Sequence, residues 1–101
     1  MIINGVYWSI KLVSPSNPIL LTPWETYALG VCDKSTQTIY INKTLNFSAI
    51  KDVLYHEFVH AAIFSYQIDL SYEEEELIAK WVGMYGNEIF KNVNAVYSKI
   101  K

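Results

Sequence analysis

The chain has 101 residues, 51% of them apolar and 18% charged, with a net charge of −2. This suits one well-packed domain with a core of modest size and excludes a disordered or low-complexity polypeptide. All eight basic residues are scattered lysines and no arginine is present, so the chain lacks the electrostatic footprint of a nucleic-acid binder.

Two further exclusions come from the same inventory. Cys32 is the only cysteine, so there is no intrachain disulfide framework. No stretch approaches the roughly 20 apolar residues of a membrane span, and the N-terminus lacks the pattern of a signal peptide. The expectation is a soluble cytoplasmic protein without membrane contact.

In chain order, Val6 to Val13 is rich in β-branched and aromatic residues and predicts a first strand. The cluster Ser14-Pro15-Ser16-Asn17-Pro18 ends it. Thr26 to Val31 predicts a second strand, in which Gly30 marks a bulge or a close backbone approach. Asp33-Lys34-Ser35 reads as a turn into Gln37 to Ile41, a third strand with clear alternation that closes a hairpin with the second.

The second half is helical. Ser48 is the expected N-cap of a helix running to about Tyr66. Ile68-Asp69-Leu70 is a short connection, and Ser71 with Glu74 forms a capping-box pattern that opens a second helix. The glutamates at 73 to 76 suit its positive end. This helix is expected to bend near Gly83 or Gly86 and to weaken at Asn92-Val93-Asn94, leaving Ala95 to Lys101 as a short turn or frayed end. The fold class is α+β: a small antiparallel sheet of about three strands followed by two main helices, in a single domain over 1–101.

The first helix carries His56-Glu57-Phe58-Val59-His60, which contains both histidines of the chain. Four residues of separation put the two imidazoles one helical turn apart on one face, where both can reach a single tetrahedral zinc ion. Glu57 beside the first ligand has the place of a general base toward a metal-activated water. After Asp52, the stretch to Phe64 holds nothing charged or strongly polar outside the motif. A carboxylate buried among imidazoles is costly unless paired, and a cation resolves that conflict. The competing reading is two core histidines satisfied by backbone carbonyls, with Glu57 bridging them.

A hydrolytic zinc site wants three protein ligands and an open position. The metzincin extension is absent, because Ile63 and Tyr66 stand where its glycine and third histidine belong. The remaining candidates are carboxylates and Cys32. His60 lies about 10 Å from the end of its helix, so an antiparallel partner presents its first two turns there, whereas Glu88 lies roughly 24 Å in. The apolar stripe Ile78, Val82, Tyr85 and Ile89 extends back to Glu75, which is the preferred ligand, with Glu74 and Glu76 as neighbours in phase. The rest of the glutamate run reads as a solvated first turn. Cys32 is the rival ligand, or else a small buried hydrophobe.

These features together resemble the ImmA/IrrE metallopeptidase family and its small zincin-like relatives encoded by phages and mobile elements. The resemblance covers roughly residues 27 to 90. It rests on Gly30-Val31-Cys32-Asp33, on Thr38-Ile39-Tyr40-Ile41, on Val53 to Ala61 around the motif, and on Glu75 to Val82. It implies a minimal zincin-like fold, zinc held by His56 and His60, Glu57 as general base, and the family's downstream glutamate at Glu75. It also implies a peptide or protein substrate, such as a regulatory protein. Neither the longer domain nor the DNA-binding module of larger members is expected within residues 1–101.

The resulting expectation is a zinc-dependent metallopeptidase. Its developing oxyanion would need a second electrophile, for which Tyr72 and Tyr40 are the candidates. The edge of the hairpin could hold substrate by β-augmentation. The alternative is a zincin-scaffold metal-binding regulatory or interaction protein without protease activity, with Cys32 joining His56, His60 and Glu75 in a closed structural site.

Overall fold

The computed structural model describes residues 1–101. Strands β1 (Ile2–Ile3) and β2 (Val6–Tyr7) form a small antiparallel hairpin. Its turn is Asn4-Gly5, with φ of 47° and 77°. That left-handed pair is the geometry an Asn-Gly dipeptide adopts most readily, and its twist matches the strands.

The strand expected over Val6 to Val13 is interrupted at Trp8. This side chain is fully buried, and its Nε1–H donates to Ser65 Oγ at 2.8 Å. Its ring meets Phe64 edge-on at 5.7 Å. The indole anchors the N-terminal hairpin to the end of the first helix, and the strand resumes as β3 (Ser9–Val13).

The main sheet contains β3, β4 (Gly30–Asp33) and β5 (Thr38–Asn42) in the order β3-β5-β4. The hairpin of β4 and β5 is antiparallel, as its Asp33-Lys34-Ser35 turn predicts. β3 runs parallel to β5, with Ser9 opposite Thr38 and Val13 opposite Asn42, so the sheet is mixed and not wholly antiparallel. A parallel pair needs a long return path. Strand β4 itself is that path: the end of β3 at Val13 and the start of β4 at Gly30 lie at the same end of the sheet, opposite Asn42 and Ile41 of β5. The segment joining them includes a 3-10 turn at Pro18–Leu20 whose Leu20 is fully buried.

Helix α1 (Phe47–Ser65) packs on β4 and β5 of the main sheet. Its N-cap is Asn46, not Ser48: the Asn46 side chain accepts from the Ala49 N–H at 2.8 Å. Ile3, Trp8, Ile39, Ile41 and Ala61 form the main core between sheet and helix. Gly30 is where β4 comes closest to α1. A Cβ there would lie 2.5 Å from Val53 Cγ1 and 3.3 Å from Glu57 Cγ, so glycine answers a close approach and not a bulge.

α1 ends with Gln67 in the left-handed region at φ 55° and the Ile68 N–H on the Ile63 carbonyl. That closure satisfies the last carbonyls and reverses the chain within a few residues.

Helix α2 (Tyr72–Ile100) starts with the expected capping box between Ser71 and Glu74. It is continuous through Gly83, Gly86 and Asn92-Val93-Asn94, where a bend and a weakening were expected. Two glycines cost a helix about 1 kcal/mol each. Here both are buried, and they let α2 lie directly on α1: a Cβ at Gly83 would stand 3.1 Å from His56 Cβ, and one at Gly86 would stand 2.7 Å from the Tyr55 ring. No helix is long and apolar enough to cross a membrane.

Candidate metal centre

His56 and His60 project from one face of α1, their ring centroids 5.3 Å apart with planes at 60°. With Glu57 they form a cluster whose ligand atoms all lie within 4.8 Å of one another. The helical spacing of the motif produces this cluster locally. The second helix then adds two carboxylates from its first turns. His60 Nδ1 meets Glu75 Oε2 at 2.5 Å, and His60 Nε2 meets Glu76 Oε1 at 3.0 Å.

The helix-length argument therefore places the correct turn of α2 beside His60, but the face of α2 is turned by one residue from expectation. Ile78, Tyr85 and Ile89 are exposed. The seam against α1 is built on Ala79, Gly83 and Gly86, with Val82 the one member of the expected stripe that packs there, beside Val59 and Ile63. Stepping back from Ala79 by three and four brings in both Glu76 and Glu75. Glu74 is occupied by the capping box and faces solvent. Small residues at helical spacing, not the large apolar ones, mark the face that meets α1.

The two imidazoles are oriented in similar ways. A Cβ at Gly83 would be 3.5 Å from His56 Nδ1, so that nitrogen faces the backbone of α2. His60 Nδ1 is held by Glu75, which Lys34 Nζ also approaches at 3.4 Å from the β4–β5 turn. Metal-binding histidines are usually fixed this way, one ring nitrogen bonded to a carboxylate or backbone carbonyl and the other directed at the ion. Lys34 had no role in the sequence reading, because only the tertiary fold brings its turn to α2.

Glu57 is the most unusual group. It is 5% exposed and its Oε2 has no hydrogen-bond partner. Burial pushes its carboxyl up from 4.5 to about 7, against an opposing pull from His60 and with a further push from Glu76. Burial also lowers the affinity of His56 for a proton, and His60 adds to this, while Glu76 and the Ala79 backbone oppose it. For Glu75, burial acts upward, but the His60 hydrogen bond and Lys34 outweigh it and leave the carboxyl below its usual range. An orphaned buried carboxylate oxygen beside two imidazoles and a further carboxylate is a donor set that suits a divalent cation.

Cys32 lies on β4, half-buried and outside this cluster. Burial, then the charge of Glu57, pushes its thiol up to about 12. Tyr40 is half-buried on the central strand β5, and Tyr72 opens α2 with 74% exposure. A cavity of about 390 Å³ opens beside His56 and Glu57, with Leu29, Gly30, Val53 and Met84 along its walls and Asp52 and Lys80 among its polar residues.

Comparison of the chain with protein-family models, with curated proteins and with solved structures finds no match.

Proposed function

We propose that the protein is a zinc-dependent metallopeptidase. The observation that carries this reading is the clustered His56, Glu57 and His60, in which Glu57 keeps a buried oxygen without any protein partner. A structural pair of core histidines would satisfy that oxygen. A hydrolytic centre leaves it free for water and substrate.

In this reading His56 and His60 hold the ion, and a carboxylate from α2 completes the protein set. Glu76 suits that position better than Glu75. It meets His60 at Nε2, and its charge acts on both His56 and Glu57. Glu75, bonded to His60 Nδ1 and steadied by Lys34, fixes the ring. When bound, zinc supplies Lewis acidity at the carbonyl and a nucleophilic water at neutral pH. Glu57 would accept the proton of an attacking water at its unpartnered Oε2 and return it to the leaving nitrogen of the peptide. The cavity beside His56 and Glu57 gives substrate a largely apolar seat next to the proton acceptor. The resemblance of the motif region to the ImmA/IrrE family supports a peptide as the substrate class.

The test is metal analysis and peptide hydrolysis on the parent and on Glu57→Gln. Both proteins should hold one zinc ion, and only the parent should cleave an unstructured peptide. Equal cleavage by the two would refute the role of Glu57. Absence of stoichiometric zinc, with no thermal stabilisation on its addition, would refute the metal centre itself.

A further inference from the structure

From Glu88 onward every residue of α2 is exposed. Along the outer face of the whole helix run Ile78, Trp81, Tyr85, Ile89, Val93 and Val96, each between 41% and 60% exposed. At about 100° per residue these six fall within an arc of about 120°, roughly a quarter turn away from the seam that meets α1. The Trp81 and Tyr85 rings lie 5.5 Å apart and make the arc continuous at its N-terminal end. A surface helix normally buries such a stripe.

We propose that this face is covered by the same face of a second copy of the chain, running antiparallel. The steps between the six residues are 3, 4, 4, 4 and 3, a series that reads identically from either end. Reversing one copy sets Ile78 against Val96, Trp81 against Val93 and Tyr85 against Ile89, so each large ring meets an aliphatic side chain. Such a contact is self-complementary and closes as a two-fold dimer. The spacing averages close to 3.6 residues, which suits a nearly straight helix pair.

Charge gives the same direction. α2 begins with Glu73 to Glu76 and ends with Lys99 and Lys101. The antiparallel register brings Glu74 next to Lys99 of the partner subunit. A parallel one would stack the glutamate run on its own copy. The exposed parts of the six side chains, with Ile100 at the rim, come to roughly 700 Å² per protomer, near the about 800 Å² per partner typical of stable interfaces. A lipid surface fits less well, because helices that lie on membranes carry a lysine- and arginine-rich polar face. This one carries Glu73, Glu74 and Glu88 among its lysines.

Sedimentation equilibrium on the full chain tests the proposal. The parent should weigh about 23 kDa at micromolar concentration, twice its 11.6 kDa. Ile89→Glu combined with Val93→Glu should sediment as a monomer with unchanged far-ultraviolet dichroism, since both positions already face solvent. The milder Lys99→Glu should raise the dimer dissociation constant several-fold at low salt. Orientation is read by mixing two single-cysteine proteins, Tyr85→Cys and Ile89→Cys, each in a Cys32→Ser background. Oxidation should yield the mixed disulfide in preference to either homodimer. A parent that stays monomeric at 200 µM overturns the proposal, whether or not it cosediments with phosphatidylcholine–phosphatidylglycerol vesicles. So does preferential formation of the 85–85 or 89–89 disulfide.

Discussion

Replacing Glu57 by glutamine should stabilise the metal-free protein, and the gain should depend on pH in a defined way. Burial moves this carboxyl from 4.5 in the unfolded chain to about 7 in the fold. Below pH 4.5 it is protonated in both states, and the folded state is not penalised. Between pH 4.5 and 7 the folded state keeps a proton that the unfolded chain has released, so stability falls as pH rises through that window. By pH 8 the group is ionised in both states, and the cost of its buried charge is fully expressed, at roughly 3 kcal/mol. Glutamine has the same shape and does not titrate. Contributions from His56 and Glu75 are common to both proteins and largely cancel in the difference. Urea denaturation of chelator-treated protein should therefore show the two equally stable near pH 4, with the Gln variant ahead by roughly 2–3 kcal/mol at pH 8. Saturating zinc should then stabilise the parent more than it does at pH 5. A pH-independent difference, or a less stable Gln variant at pH 8, would refute the claim that this carboxylate is buried without a partner.

The two glutamates of α2 should separate in zinc titrations. Glu76→Ala should weaken binding the more, and Glu75→Ala should cost about 10–100-fold, as expected for a residue that orients a ligand; the reverse order would exchange their roles. Gly30→Ala should destabilise the fold by about 1–3 kcal/mol in chemical denaturation, because its methyl would enter the space of Val53 Cγ1. Trp8→Ala should cost about 3–5 kcal/mol, since it empties the centre of the core and leaves Ser65 Oγ without its donor.

The sequence by itself determined whatever depends on local spacing. The histidine pair follows from helical period, the start of α2 from its Ser71–Glu74 box and the β4–β5 hairpin from its turn, whereas Gly30 signalled a bulge or a close approach and only the packed fold makes it an approach to α1. The sequence also limited the partner of His60 to the first turns of α2, because helix length is fixed by residue count. Other features depended on how elements pack. An all-antiparallel sheet was expected, but the chain re-enters at the end of the sheet where β3 stops, so β4 makes the return and β5 lies parallel to β3. The face of α2 was read from its large apolar residues, yet helices approach most closely through small ones, and the seam of Ala79, Gly83 and Gly86 turned Glu76 toward His60 Nε2 and Glu75 toward Nδ1. The same rotation left the large residues outside, as the stripe from Ile78 to Val96. Spacing along one helix fixes which side chains share a face; only the contact between two helices decides which face is buried.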